Sequence, residues 1–318
     1  MKNPLITAPP SGRYSQSTRG KRRMGSMKRQ AVFLSIVATV ILAVPALADS
    51  DGITGIEWGR NSKDFDAMPS GPKPLRNINR DEKDVADDHA LVGDYHNPIL
   101  TPYAAAIVKQ KGEQALAGGF PNSRDQCRPV APPFTFAIQF DFQILKKKNG
   151  DLAFVYHDNN EVRDIRMNGA HPAKLASSPR GDSIGHWEGG TLVIDTIGVQ
   201  VDEFTAVDRF GTPQSEAMHV VERYRLIDGA QARADVARYE KSEGTIGGRV
   251  DGYDRTAKKG LRLEVTMEDP KVFTQPLTGV VNYLPLRTGW REYICADNPV
   301  EHYKGEWIGL PTAARPDF

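Results

Sequence analysis

Apolar and polar positions alternate through most of the chain after residue 130, and this period of two predicts β-strands. An apolar side chain stands at every second position from Phe134 to Phe142, which places these residues on one face of a strand. Asn149-Gly150 is typical of a tight hairpin turn and separates the segments 143–145 and 152–156. The remaining strand patterns are 161–166, the hairpin 181–196 with its turn at 188–190, 218–227, 261–268, 278–286 and 290–295. About nine strands with short or medium connections predict a closed sheet.

Two segments carry helical patterns instead. Thr101 precedes Pro102, and the residues that follow are rich in Ala, Lys, Gln and Glu up to Gly118-Gly119, with Gly112 as the weak point. An N-cap threonine, a proline in the first turn and a glycine stop are typical of a helix. The second segment, 230–241, indicates a helix inserted in a long hairpin, and a potential lid. The predicted fold is therefore mainly β, an antiparallel up-and-down barrel with one N-terminal helix and one inserted helix.

The N-terminal residues predict export. A basic head at 27–30 precedes an apolar run at 31–45 and Ala46-Leu47-Ala48, so we expect a signal peptide cleaved after Ala48 and a periplasmic or secreted protein. The apolar run is shorter than the roughly 20 residues that span a bilayer, so no membrane span is expected after cleavage; an uncleaved anchor is the alternative. The predicted domains are an extension and signal peptide at 1–48, a polar arm and helix at 49–125, a β-barrel at 126–298 and a tail at 299–318.

The overall charge excludes one class of partner. The chain has 41 Lys and Arg residues against 40 Asp and Glu residues, a net charge of +1, so no global field attracts nucleic acid. Its two cysteines are Cys127 and Cys295, and the oxidising surroundings of an exported protein favour a disulfide between them over two separately buried thiols. The sequence leaves the oligomeric state open.

The segment 181–185, Gly-Asp-Ser-Ile-Gly, matches the G-x-S-x-G pattern of a hydrolase nucleophile. Ser183, Asp195 and His219 also follow one another in the order used by α/β-hydrolases. That motif needs a strand before the serine and a helix after it, whereas Ser177-Ser178-Pro179-Arg180 precedes it here and a hairpin follows. We therefore interpret Ser183 as a residue at the start of a strand and not as a nucleophile.

Motifs for cofactors and metals are missing from the sequence. No Walker pattern and no G-x-G-x-x-G after a strand supports a nucleotide cofactor, and none of the seven histidines forms H-E-x-x-H. Two cysteines are too few for a cysteine-rich zinc site. We predict no cofactor and no metal. The alternative is a metal site built across strands by His157, His171 or His219 with Glu161 or Asp195.

Candidate site residues lie on the predicted strands. For acid–base chemistry we select His219 as the base, Asp195 or Glu222 to orient it, and Arg163 to hold an anionic group. The candidate ligand-binding residues are Glu161, Tyr156, Trp187 and His171. The period of two puts Glu222 and Tyr224 on the face opposite to His219, but it does not say which face points into the barrel.

Five stretches together resemble a family of exported, largely uncharacterised proteobacterial proteins with the motif S-x-G-x-W-E-G-x-T-L-V-x-D-T. They are NNEVRDIRMNGAHP, GDSIGHWEGGTLVIDTIG, EAMHVVERYRLID, LEVTMEDPKVFTQPLTG and EYICADN, and the similarity extends from about Leu91 to the C-terminal tail. The resemblance implies a lipocalin-like or calycin-like barrel and export, but no particular reaction. The family's motif residues correspond here to Glu161, Arg163, His171, Ser183, Trp187, Asp195, His219, Glu222, Asp269, Glu292, Cys295 and Asn298. Where relatives often carry a charged residue beside the turn, this chain has Gly190.

Two functions fit these features best. The first is a lipocalin-like protein that binds a small apolar or aromatic molecule inside the barrel; a filled core without a cavity is the opposing interpretation. The aromatic residues that can line such a barrel are Phe136, Phe140, Phe154, Tyr156, Trp187 and Tyr283. The second function is a lyase, isomerase or hydrolase without a cofactor, acting on a small hydrophobic compound. An envelope interaction protein that uses the arm and the tail is a third class.

Overall fold

A computed structural model describes residues 52–60, 65–79, 91–117, 123, 127–138, 141–243, 252–287, 289–290, 300–301 and 306–307. Within these residues nine strands form a closed barrel in which neighbours along the chain are neighbours in the sheet and the last strand pairs with the first. The barrel strands are β1 (Glu57–Arg60), β2 (Asp141–Lys146), β3 (Leu152–Tyr156), β4 (Val162–Met167), β5 (Asp182–Glu188), β6 (Thr191–Ile197), β7 (His219–Asp228), β8 (Lys259–Glu268) and β9 (Leu277–Pro285). The helices are α1 (Pro102–Leu116), α2 (Phe134–Ile138) and α3 (Gly229–Glu243), with a 3-10 segment at Asp158–Asn160 and a separate strand pair, β10 (Val300–Glu301) and β11 (Glu306–Trp307). The predicted mainly β barrel is confirmed.

Strand direction departs from a simple meander between β4 and β5. Eight neighbouring pairs of the barrel are antiparallel. β4 and β5 are parallel, with Arg166 opposite Ile184 and Met167 opposite Gly185. Strict alternation around a closed ring needs an even number of strands, so a ring of nine must contain a parallel pair. The segment 168–181 therefore returns the chain to the end of the barrel where β4 began, and the up-and-down prediction holds for the rest of the ring.

Both predicted tight hairpins are present. Asn149-Gly150 lies in the turn between β2 and β3, where Gly150 has a φ of 91°. Gly189 and Gly190 join β5 to β6 with φ values of 53° and 88°. The β5–β6 turn has two residues, and a two-residue turn that matches the twist of the strands requires positive φ at both positions, which glycine adopts without strain. The resulting register sets Trp187 opposite Leu192. The β2–β3 connection is longer, at 147–151, and has positive φ only at Gly150.

The strand predicted for 134–142 is wrong in its first half. Residues Phe134–Ile138 form α2, and the strand begins only at Asp141. Phe134, Thr135 and Phe136 are all buried. Because consecutive residues of this segment are buried, and not only every second one, its alternating apolar residues do not distinguish a helix from a strand.

Part of the predicted polar arm belongs to the barrel. β1 pairs with β2 on one side and with β9 on the other, so it closes the ring. Trp58 in this strand is fully buried, and its indole Nε1 donates a hydrogen bond to the carbonyl oxygen of Ile53 over 2.9 Å. The barrel therefore begins at Glu57, well before residue 126.

α1 begins where the sequence indicates. Thr101 caps it, since its Oγ1 accepts a hydrogen bond from the backbone nitrogen of Ala104 over 3.2 Å, and Pro102 lies in the first turn. Gly112, the predicted weak point, is buried where a Cβ would come within 2.8 Å of Val92 Cγ1. The glycine therefore permits close contact between α1 and the preceding segment.

α3 lies against the outer wall of the barrel. Its Ala232 and Val236 pack with Ile227 of β7 and Leu284 of β9 in an apolar cluster separate from the interior. Gly260 of β8 lies directly beneath the helix, because a Cβ there would come within 2.4 Å of the Ala232 Cβ. The inserted helix is thus confirmed, and its described contacts are with the wall.

Several predictions concern residues beyond the described part of the chain. These are the signal peptide, Cys295 with the predicted disulfide, and most of the strand 290–295, and they stay predictions. Among the helices that are described, none has the length and apolar character needed to cross a membrane.

Candidate functional site

Inward-facing residues of four strands form a polar cluster inside the barrel. Arg163 of β4, Ser183 of β5, Thr196 of β6, and Glu222 and Tyr224 of β7 are each no more than 4% exposed. Side chains alternate between the two faces of a strand, so the pattern of burial identifies this face as the interior. We call these five residues the interior cluster.

Arg163 is the centre of the interior cluster. Its Nη1 donates to Glu222 Oε2 over 3.0 Å and its Nη2 donates to Glu222 Oε1 over 2.5 Å, which makes a bidentate ion pair. Its Nε donates to Ser183 Oγ over 3.1 Å, and its Nη2 donates to Thr196 Oγ1 over 2.6 Å. The Tyr224 hydroxyl donates to Glu222 Oε2 over 2.9 Å. Both charges therefore have hydrogen-bonded partners, which a buried ion pair requires.

These surroundings fix the charge states of the cluster. Burial lowers the pKa of Arg163, but the charge of Glu222 outweighs burial and raises that pKa above its usual value. Burial and the charge of Glu222 both raise the pKa of Tyr224 well above its usual range. Arg163 stays charged and Tyr224 stays protonated, so the cluster carries one positive charge and the compensating negative charge of Glu222.

Aromatic rings contact one another beside this cluster. Phe142 stacks on Phe154 with ring centroids 5.5 Å apart, and it meets Tyr283 edge-on at 5.1 Å. Phe154 also lies 5.4 Å from Tyr224 and 6.3 Å from Tyr156. Such offset and edge-on contacts are the arrangements that aromatic pairs favour. A group of aromatic rings therefore lies beside the charged pair, within a core that also contains many aliphatic residues.

Tyr156 lies at the edge of these rings and ends β3. It is 3% exposed, and its hydroxyl has no hydrogen-bond partner among the described residues. The tyrosine is close enough to Arg163 to contribute to that residue's raised pKa. The guanidinium carbon of Arg180 lies 5.0 Å from the centre of the Tyr156 ring, and Arg180 forms an ion pair with Glu161. Two predicted ligand-binding residues, Tyr156 and Glu161, thus share Arg180 as a neighbour.

A second polar group crosses the outer face of β5 to β8 and includes His171 from the connection between β4 and β5. Asp195 lies between two histidines, with its Oδ1 2.9 Å from His171 Nε2 and its Oδ2 3.0 Å from His219 Nε2. The other nitrogen of each ring faces a further carboxylate: His171 Nδ1 lies 2.6 Å from Asp182 Oδ2, and His219 Nδ1 lies 3.5 Å from Glu268 Oε2. We call these five residues the outer chain.

Charges in the outer chain compensate one another. Burial lowers the pKa of His171, but its hydrogen bonds to Asp182 and Asp195 outweigh burial, and the pKa is raised. Burial raises the pKa of Asp195, but its hydrogen bonds to His219 and His171 outweigh burial, and the pKa is lowered. Arg166 Nη2 donates to both oxygens of Asp182, over 2.9 and 2.7 Å. The outer chain therefore favours a charged His171 between charged carboxylates.

The structure divides the four acid–base candidates between the two faces of the barrel wall. His219 contacts Asp195 on the outside, and Arg163 binds Glu222 on the inside. Glu222 faces away from His219 and does not orient it. The four side chains thus do not meet at one place, although each pair is in direct contact.

Ser183, Asp195 and His219 do not form a catalytic triad. Ser183 Oγ lies inside the barrel, 3.0 Å from Thr196 Oγ1, and accepts from Arg163. Asp195 and His219 are bonded to each other on the outside. This arrangement agrees with the interpretation of Ser183 as a strand residue.

The other two ligand-binding candidates also lie apart. Trp187 is partly buried and packs against the main core, whereas His171 is in the outer chain. Across the described part of the chain, no group of three or more His, Cys, Asp or Glu side chains is arranged to hold a metal ion.

Sequence reasoning missed Thr196 and Asp182. Thr196 stands opposite Ser183 in the β5–β6 hairpin, so the register of a hairpin correctly predicted from its turn would have placed the two hydroxyls side by side. Asp182 precedes Ser183 in β5, and successive side chains of a strand point to opposite faces. Asp182 therefore points to the outer face of the barrel. Asp182 pairs with Arg166 and His171 because β4 and β5 are parallel neighbours, and the sequence pattern did not indicate this parallel pair.

No family model, curated protein or solved structure matches the chain.

Proposed function

We propose that the protein is an exported, lipocalin-like protein that binds a small apolar or aromatic molecule at the aromatic interior of its barrel. The observation that carries this proposal is the Tyr156 hydroxyl, buried beside aromatic rings without a hydrogen-bond partner in the described residues. Leaving a buried polar group unpaired costs about 1–3 kcal/mol, and a ligand that bonds to it recovers that loss. The hydroxyl can therefore fix the orientation of a bound molecule.

The packing and polarity of the interior limit where a ligand can bind. Ring centroids from Phe142 to Tyr283 and from Phe154 to Tyr156 are 5.1 and 6.3 Å apart, so these rings already contact one another and a ligand would have to lie beside them. Small-molecule sites are mostly apolar with a few placed polar groups. Tyr156 and Arg163 supply such groups beside the rings, since Arg163 pairs in the sheet with Phe154, two residues before Tyr156.

Binding is favoured over catalysis because, among the described residues, the base of the interior cluster is already engaged. A general base must lie within hydrogen-bonding reach of the substrate proton and be able to accept it. Glu222, the carboxylate of the interior cluster, already accepts from Arg163 and Tyr224. His219 lies on the outer face. A cofactor-free lyase, isomerase or hydrolase that used the interior cluster would therefore need a proton acceptor other than Glu222 or His219.

The test begins with the protein expressed with its own N-terminus and recovered from the periplasm, which also tests export. The folded protein is incubated with a periplasmic metabolite extract, and retained compounds are identified by native mass spectrometry. The extract itself is analysed for converted compounds. We expect the protein to retain an aromatic compound. We also expect the amount of any compound converted in the extract not to exceed the amount of protein.

Tyrosine variants show whether retention depends on the barrel interior. Tyr156→Phe should retain less of the compound, because it removes the buried hydroxyl. Tyr103→Phe makes the same chemical change on α1, where the residue is 44% exposed, and should behave as the parent. A folded protein that retains nothing would refute the binding proposal, and catalytic conversion would replace it with the enzymatic alternative.

A further inference from the structure

The interior cluster restricts the charge of a ligand. Arg163 and Glu222 neutralise each other through two hydrogen bonds, and protonated Tyr224 adds no charge. All three side chains belong to residues that are at most 2% exposed. A carboxylate or an ammonium group on the ligand would therefore be a buried charge without a counter-ion, which is strongly unfavourable.

Hydrogen-bonding capacity nevertheless remains beside the pair. A guanidinium has five N–H donors, and here four are engaged, by Ser183, by Thr196 and by the two oxygens of Glu222. The second hydrogen of Arg163 Nη1 has no acceptor among the described residues. The hydroxyl of Tyr156, which can donate and accept, is likewise without a partner there.

We infer that the ligand is a small, uncharged aromatic compound with one oxygen that accepts a hydrogen bond, such as a phenol or an aryl ketone. Its ring lies at the Tyr156 edge of the aromatic interior, and its oxygen bonds to the Tyr156 hydroxyl and to the remaining Nη1 hydrogen of Arg163. This inference rests on the proposed binding function and narrows it. It also replaces the expectation that Arg163 holds an anionic group, because Glu222 already provides that anion.

Four fluorinated probes test the inference by fluorine NMR at pH 7. They are 4-fluorophenol, 4-fluoroacetophenone, 4-fluorobenzoate and fluorobenzene, which share one ring and differ in the group opposite the fluorine. 4-Fluorophenol is neutral at this pH, because phenolic hydroxyls ionise near pH 10, roughly. We expect the phenol and the ketone to bind at least about tenfold more tightly than the benzoate and than fluorobenzene, from line broadening and shift titrations.

The same titrations on variants locate the site. Tyr156→Phe should weaken 4-fluorophenol binding by roughly twofold to tenfold, as expected for the loss of one hydrogen bond. Tyr103→Phe should leave the binding of all four probes unchanged. Equal binding of 4-fluorophenol by Tyr156→Phe and the parent would overturn the inference.

Failure of the inference can be separated from failure of the proposed function. If 4-fluorobenzoate binds as tightly as 4-fluorophenol, the neutral-ligand inference is wrong and the binding function stands. If no probe binds but a compound from the extract is retained, the neutral-ligand inference is likewise wrong and the binding function stands. If no probe binds and no compound is retained, both are overturned.

Discussion

Arg163 and Glu222 form a bidentate ion pair inside the barrel, and their side chains are 1% and 0% exposed. Glu222→Gln would leave the guanidinium charge buried without its counter-ion. Breaking a buried pair in this way costs about 3–5 kcal/mol. We expect a loss of that size in the free energy of unfolding, measured by urea titration.

Two further variants show whether the loss comes from the uncompensated charge. Replacing both residues, as Arg163→Met with Glu222→Leu, removes both charges and should cost much less than the sum of the single changes. Arg223→Gln breaks the exposed pair with Glu188, whose side chains are 42% and 47% exposed, and should cost at most about 1 kcal/mol. A loss in Glu222→Gln no larger than in Arg223→Gln would contradict the prediction.

His171 should give the protein a pH-dependent stability near neutrality. Burial lowers its pKa, but hydrogen bonds to Asp182 and Asp195 raise it above the ordinary value of 6.5. A group with a raised folded-state pKa stabilises the fold fully below its unfolded value, and this stabilisation is lost as the pH rises through the folded value. We expect the free energy of unfolding to fall from roughly pH 6 to pH 8, and His171→Gln to remove this slope.

Asp195 should set the acid limit of the same effect. Burial raises its pKa, but hydrogen bonds to both histidines lower it below the ordinary value of 3.8. Its contribution is present above that value and is lost as the pH falls through the folded value, so the outer chain stabilises the fold most between about pH 4 and pH 6.5. Urea titrations at fixed pH check both limits. His96→Gln, at an exposed histidine, is the control and should keep the pH dependence of the parent. If the free energy of unfolding of His171→Gln still falls between roughly pH 6 and pH 8, the pH dependence does not come from His171.

Ser183 should be unreactive toward serine-directed reagents. Its hydroxyl accepts from Arg163 and bonds to Thr196 inside the barrel. A fluorophosphonate probe should therefore leave the protein unlabelled. Ser183→Ala should instead lower the free energy of unfolding by about 1–3 kcal/mol, because Arg163 Nε would lose its acceptor.

Labelling that is present in the parent and absent from Ser183→Ala would contradict this prediction. Ser178→Ala is the control, since Ser178 Oγ donates to the backbone oxygen of Gly181 in a turn before the strand. It should affect stability less than Ser183→Ala, and it should not change labelling.

Local features of the fold could be predicted because their determinants lie within a few residues. Gly150 and the pair Gly189-Gly190 specify hairpins through positive φ, and Thr101 specifies the start of α1 through its hydroxyl. The turns also set the pairing register on either side. These elements needed no information from distant parts of the chain.

Strand direction and facing could not be predicted because they depend on distant partners. The parallel β4–β5 pair depends on which strands close the ring, and these include β1, whose four residues lie in a segment predicted to be a polar arm. The alternation of side chains along β7 left open whether His219 or Glu222 pointed inward. Only closure of the ring, which brings Arg163 opposite Glu222, decides that point.

Gly185 should be essential for packing between the parallel strands β4 and β5. A Cβ at this position would come within 2.8 Å of Ile165 Cγ2 and 2.9 Å of Met167 Sδ. Ile165 is fully buried and β-branched, so it has little freedom to move away. Gly185→Ala should therefore lower the free energy of unfolding by about 1–3 kcal/mol. Gly169→Ala is the matched control, because a Cβ there would lie 3.4 Å from Arg166 Nη1, an ordinary contact, and its effect should stay within about 0.5 kcal/mol. Equal stability of the two variants in urea titrations would show that the space between these strands has room for a methyl group, and would argue against the tight β4–β5 contact.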